Sequence, residues 1–184
     1  NRIRSKNIFK MKKWISLFSQ TGSEICEVSN RLGRWPDLVV TNNQDLDSIN
    51  HDVLKHSKVL FVSEKPVDSE YHQLLANGDV ITMHGWLRII PEKICEQYNI
   101  YNGHPGLITK YPELKGKDPQ KKAVDLQLET SGCVIHKAVA EVDAGEIFMD
   151  HEIDIKDLNE EEVINKLHAL SIELWVKFLR GMKL

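Results

Sequence analysis

Short apolar runs alternate with helix-type segments along the first half of this chain, and that alternation leaves few architectures open. Trp14-Ile15-Ser16-Leu17-Phe18, Asp37 to Thr41, Lys58 to Val62 and Asp79 to Met83 each read as a strand. Between them lie a helical pattern in Ile25, Val28 and Leu32, a polar helix around Asp47 to His56, and a helix from Asp68 to Ala76 stopped by Asn77-Gly78. Strands separated by helices at this spacing pair in parallel and bury both faces of the sheet. The expected fold is α/β, a doubly wound, mostly parallel sheet.

The second half continues the pattern less regularly. Pro91 is placed to start a helix over Glu92 to Gln97, and strand character resumes in Tyr98-Asn99-Ile100-Tyr101. A lysine-rich loop from Lys110 to Pro119 precedes a helix from about Gln120 to Leu128. Gly132 to Val139 is a strand, and Glu141 to Ile147 turns into another that ends near Ile155. From Asn159 a C-terminal helix carries the stripe Val163, Ile164, Leu167, Leu170, Leu174, Trp175 and Phe178, with Asn159 and Glu162 as a capping pair.

The length of 184 residues suits a single domain over residues 11–184 preceded by a basic N-terminal extension over residues 1–10. A net charge of −3 argues against a nucleic-acid partner. Cys26, Cys95 and Cys133 lack metal-ligand or disulfide spacing, so no metal is expected, and no apolar run reaches membrane-spanning length. These features point to a cytoplasmic protein with no membrane partner.

Chemistry concentrates where a strand meets a turn, in Ile100-Tyr101-Asn102-Gly103-His104-Pro105-Gly106-Leu107. Pro105 lacks a backbone donor and Gly106 frees the chain, so pairing ends there. Asn102 and His104, two residues apart, fall on one side of the strand end. The carboxyl ends of strands are where ligands bind in open α/β sheets. An amide and an imidazole converging there can polarise a carbonyl oxygen and move a proton. Two further segments matter. Ser19-Gln20-Thr21-Gly22-Ser23-Glu24 is a strand-to-helix turn of the kind that receives anions, although Glu24 would repel a phosphate. His84-Gly85-Trp86-Leu87-Arg88-Ile89-Ile90 either walls a pocket for a flat ring or covers the sheet edge. The full Gly-x-Gly-x-x-Gly pattern is missing after the first strand, which argues against a dinucleotide oxidoreductase.

Asn102-Gly103-His104-Pro105-Gly106-Leu107, followed after an intervening strand with Gly132, Cys133 and His136 by Val142-Asp143-Ala144-Gly145, resembles the signature of the folate-dependent formyltransferases, the group typified by glycinamide ribonucleotide formyltransferase. The likeness runs from Trp14 to about Ile155. It implies a Rossmann-like formyltransferase fold and transfer of a formyl group from 10-formyl-tetrahydrofolate to a primary amine, without a metal. It implies a catalytic trio of Asn102, His104 and Asp143, with Asp143 raising the imidazole pKa. Trp86, Leu87, Arg88, Ile89 and Ile90, with Ala140, Glu141 and Val142, match the segments that hold the pterin ring. Gly22, Ser23 and Glu24, together with Gly106, are the expected acceptor-binding positions.

Three departures bear on the acceptor. Glu24 stands where the purine enzyme has Asn, Gln20 replaces a Gly, and Thr109 replaces a Pro. The loop Leu114 to Pro119 is closer to those of the transfer-RNA and nucleotide-sugar enzymes. The chain's length favours a small acceptor, with a phosphorylated amine such as glycinamide ribonucleotide first, and an amino-sugar or other nucleotide amine second. Hydrolysis of the donor to formate, or folate or nucleotide binding without turnover, are the rival readings.

Overall fold

The computed structural model describes residues 10–184; most of the expected N-terminal extension, residues 1–9, lies outside the described residues. The elements in chain order are β1 (Trp14–Phe18), α1 (Ser23–Leu32), β2 (Leu38–Thr41), α2 (His51–His56), β3 (Lys58–Phe61), α3 (Asp68–Leu75), β4 (Val80–Met83) and α4 (Glu92–Gln97). They continue with β5 (Ile100–His104), α5 (Pro119–Asp125), β6 (Thr130–Lys137), β7 (Ile147–Asp154) and α6 (Glu160–Gly181). The seven strands form one sheet in the order β3-β2-β1-β4-β5-β6-β7. β1 to β5 pair in parallel, while β6 runs antiparallel to both β5 and β7. The mostly parallel, doubly wound expectation therefore holds. Strand order reverses between β1 and β4, which opens a crevice at their carboxyl ends.

Both faces of the central strands are buried, as parallel strands require. On one face Trp14 packs with Val163, Leu167 and Trp175 of α6. On the other, Ile15, Leu17, Ile81 and Met83 pack with Tyr71, Leu75 and Ile94 of α3 and α4. α6 begins with the expected capping box: Glu162 N–H donates to Asn159 Oδ1 (2.9 Å) and Asn159 N–H to Glu162 Oε1 (3.2 Å). Trp175 is wholly buried, and its indole nitrogen lies so close to Gly103 that a Cβ there would approach it to 2.7 Å. Trp175→Ala is expected to cost about 3–5 kcal/mol in urea unfolding, the range for emptying an aromatic core position.

Two helices differ from the sequence expectation. The one expected over Asp47 to His56 is a single 3-10 turn, Leu46–Ser48, followed by α2. Asn50 breaks it, because its side chain accepts from Asp52 and Val53 N–H and so starts a new helix. The helix expected over Gln120 to Leu128 starts at Pro119 and stops at Asp125. Gln127 takes a left-handed φ of 53°, and Leu128 N–H returns to the Ala123 carbonyl, closing the helix.

Candidate active site

The antiparallel strand beside β5 supplies a site residue, His136, that the sequence shows only as part of a strand. Asn102 is the register partner of both Met83 on β4 and His136 on β6. Tyr101 packs against Phe178 and Gly103 against Trp175, both on α6, so Asn102 and His104 project to the opposite side of the sheet. The β6–β7 pairing slips at Ile135/His136, where one extra residue of β7 bulges out. His136 stays paired with Asn102 across β5 and β6, and register partners share a face of the sheet, so its ring lies beside the end of β5.

Asp143 arrives from the turn between β6 and β7. Its φ of 55° is left-handed, a conformation that few residues other than Gly adopt and that Asp tolerates comparatively well. Gly145 allows the turn to close: a Cβ there would sit 1.6 Å from the Lys137 carbonyl oxygen. The buried Asp143 carboxylate lies between two imidazoles, with Oδ2 3.4 Å from His104 Nδ1 and Oδ1 3.2 Å from His136 Nε2. Gly116 N–H donates to Oδ2 (2.8 Å), tying the loop after the Pro112–Leu114 turn onto the carboxylate.

The partners of the far ring nitrogens fix the protons. His104 Nε2 lies 2.8 Å from the Leu114 carbonyl, which only accepts, so Nε2 carries a proton. Neutral His104 then turns the lone pair of Nδ1 toward Asp143. His136 Nδ1 donates to the Lys137 carbonyl (3.0 Å), leaving Nε2 3.3 Å from Asn102 Nδ2. Neutral His136 accepts from that amide; protonated, it donates to Asp143 instead. In the first state one Asn102 N–H is anchored and the second is free to meet a ligand oxygen.

Burial lowers the His104 pKa below its ordinary value, and this outweighs the upward pull of Asp143 and of the Leu114 carbonyl. The expectation that Asp143 raises the imidazole pKa is thus right about that one influence but reversed in net direction. Burial pushes Asp143 up, but the His136 hydrogen bond, the charge of His104 and the Gly116 N–H more than offset it and leave the carboxyl below its ordinary value. Both shifts act in the same sense on stability. Below about pH 6.5 the unfolded chain binds a proton that folded His104 resists, so stability falls as pH drops from there. Asp143 adds its own loss once pH falls through its lowered folded pKa, below about 4. Urea midpoints measured between pH 7 and pH 5 should therefore decline, and His104→Gln should flatten that slope.

The remaining expected positions divide into open and supporting ones. Leu87 and Ile89 are 67% and 70% exposed, and Val142 is 46% exposed, so all three present aliphatic surface that the protein does not cover. Ala140 and Glu141, just before Val142, are exposed. Trp86 and Ile90 are buried in the core and support this turn from below. Arg88 donates to the Glu64 carbonyl (2.8 Å) and pairs with its carboxylate (3.1 Å). Gly22 is the left-handed N-cap of α1, Ser23 is exposed, and Glu24 is drawn to His84 (2.9 Å). Gly106 is buried against the His104 ring, where a Cβ would meet Pro119 at 2.9 Å and the ring at 3.2 Å. The contributions of His84 and of the Leu114 and Gly116 backbone have no signal in the sequence.

Among the described residues no group of three or more His, Cys, Asp or Glu is arranged to hold a metal ion. No described helix is long and apolar enough to cross a membrane.

Residues 12–179 match the family model described as formyl transferase. A methionyl-tRNA formyltransferase from Thermotoga sp. is 33% identical over 108 residues, covering 57% of this chain and 34% of that protein. A phosphoribosylglycinamide formyltransferase from Dictyostelium discoideum is 31% identical over 85 residues, covering 42% of this chain and 41% of that protein. The chain thus matches only about a third of the length of the curated methionyl-tRNA relative. In fold it is similar to a crystal structure of phosphoribosylglycinamide formyltransferase from Anaplasma phagocytophilum, with a TM-score of 0.82 at 23% identity, covering 93% of this chain and 86% of that one.

Proposed function

The chain belongs to the formyl transferase family, and we propose that it moves a formyl group from 10-formyl-tetrahydrofolate to the primary amine of a small acceptor. The observation that carries this is the Asp143 carboxylate held between His104 and His136, with a free Asn102 N–H beside them. Leu87, Ile89 and Val142 fit the donor's flat ring, since they offer apolar surface that the protein itself does not cover. When bound, the folate supplies an activated formyl carbon.

The chain's own residues account for the rest. Attack by an amine puts negative charge on the formyl oxygen, and the second Asn102 N–H is available to meet it. His104 Nδ1 has an unused lone pair beside Asp143 Oδ2, so it can take the proton that the amine sheds. Asp143 then faces an imidazolium, which its charge stabilises until the proton passes to the departing nitrogen. The loop through Leu114 and Gly116 holds both partners in place with hydrogen bonds of 2.8 Å.

Glycinamide ribonucleotide is the reference acceptor, because it corresponds to the substrate in the names of the purine-type neighbours. An amino-sugar or other nucleotide amine is the second reading, and the carboxylate of Glu24 in the expected phosphate-binding turn favours it. The test is consumption of 10-formyl-tetrahydrofolate, followed by absorbance, with and without each amine. Acceptor-dependent turnover supports formyl transfer. Equal turnover without any amine would instead indicate hydrolysis, and folate binding without turnover a non-catalytic binder.

A further inference from the structure

Two turns meet at the crevice where the strand order reverses. Ser19 N–H donates to the Gly85 carbonyl (3.1 Å) and Leu87 N–H to Ser19 Oγ (2.9 Å), so the β1 and β4 exits are stitched together. Across this seam Glu24, in the first turn of α1, meets His84, the residue after β4. The His84 side chain is 0% exposed and that of Glu24 is 22% exposed. The pair opens at the same strand ends as the reacting groups but on the α6 side of the sheet. Met83, just before His84, is the register partner of Asn102, and the His84 ring lies 4.5 Å from that of Trp175, whose indole packs against Gly103.

A chain of buried hydrogen bonds backs this pair, in which the carboxylate accepts and His84 Nδ1 donates. Thr82 Oγ1 accepts from Trp14 Nε1 (2.9 Å) and lies 2.8 Å from both Ser16 Oγ and His84 Nε2. A hydroxyl has one proton and two lone pairs. All are used if Ser16 O–H donates to Thr82, Thr82 O–H donates to His84 Nε2, and His84 Nδ1–H donates to Glu24 Oε1. The imidazole is thereby pinned at both nitrogens, and it holds the carboxylate from behind. Among the described residues no protein donor reaches Glu24 Oε2.

We propose that Glu24, held by His84, selects the acceptor: the group entering this crevice donates hydrogen bonds, as a sugar hydroxyl does, and is not an anion. A carboxylate only accepts, so a hydroxyl completes it, while a phosphate would meet like charge beside a buried wall. The start of α1, which would otherwise favour an anion, already has its negative partner in Glu24. The proposal rests on the formyl-transfer reading, which it narrows to acceptors without a phosphate at this position.

Inorganic phosphate is the probe that needs no knowledge of the acceptor. In thermal unfolding at fixed ionic strength, phosphate should leave the wild-type Tm where chloride does. Glu24→Gln, whose amide oxygen can still accept from His84, should gain a saturable rise in Tm. A rise in the wild type, or none in either protein, overturns the proposal. The second arm compares glycinamide ribonucleotide with its dephosphorylated ribonucleoside as formyl acceptors. Wild type should prefer the ribonucleoside, and Glu24→Gln should move the kcat/KM ratio about tenfold or more toward the ribonucleotide. A wild-type preference for the ribonucleotide, or an unchanged ratio, also overturns it. Absence of formyl transfer from both proteins to both amines would count against the proposed function, while the phosphate titration would still decide this inference.

Discussion

Asp143→Asn is expected to lower kcat/KM for formyl transfer by about 10²–10⁴-fold while the circular dichroism spectrum stays that of the wild type. The carboxylate does two jobs that an amide cannot. It stabilises a proton on His104 Nδ1 3.4 Å away, and it leaves that nitrogen's lone pair unfilled until the amine proton arrives. Both the His104 contact and the Gly116 N–H fall on Oδ2. An Asn that turns its NH₂ toward that lone pair fills it and gives up the loop. One that keeps its oxygen on Gly116 holds the loop closed but lacks the charge that offsets an imidazolium. His104→Ala should produce a loss of similar size. The double variant should lose little more than either single one, since the two residues act on one proton. Near-normal steady-state turnover in both single variants would remove the catalytic assignment.

Gly145→Ala should destabilise the fold by about 3 kcal/mol or more, read as a lower urea midpoint at unchanged m-value. The added Cβ would lie 1.6 Å from the Lys137 carbonyl oxygen and 2.7 Å from its carbon. Both are backbone atoms of β6, and Lys137 N–H is itself bonded to the Glu146 carbonyl (2.9 Å), so neither partner can move aside cheaply. Any relief would shift the turn that carries Asp143, so activity should fall further than the remaining folded fraction explains. Gly181→Ala is the matched control. It lies at the end of α6 with nothing within 4 Å of where the added methyl would sit and no positive φ, so it should be neutral or slightly stabilising.

The sheet was readable from the chain because its parallel strands are nearly continuous apolar runs. Trp14–Phe18 and Val80–Met83 are buried at every position, and nothing in their sequences competes with that outcome. Helix limits were less readable where a polar side chain chose the boundary: Asn50 could sit inside a helix or start one, and only its contacts with Asp52 and Val53 N–H decide. Within the candidate site, Asn102 and His104 were legible because period-two alternation puts them on one side of a strand that Pro105 ends. His136 was marked only by its place between the two motifs of the resemblance; its part in the site depends on the β5–β6 register that sets it opposite Asn102. The lowered His104 pKa was also out of reach. Its sign depends on how deeply the ring is buried relative to one carboxylate, which is a property of packing. The same holds for His84, which is held from behind by Thr82, itself bonded to Ser16 and Trp14 on the neighbouring strand.

Whether these residues carry a formyl carbon from a folate to an amine nitrogen is best decided by following that carbon. The protein is mixed with 10-formyl-tetrahydrofolate labelled with carbon-13 in the formyl group and a panel of small amines, and the products are analysed by mass spectrometry. Labelled N-formyl product is expected in proportion to folate consumed, from the wild type and not from Asp143→Asn. Labelled formate in that proportion, with no formylated amine, would show that water and not an amine takes the formyl group.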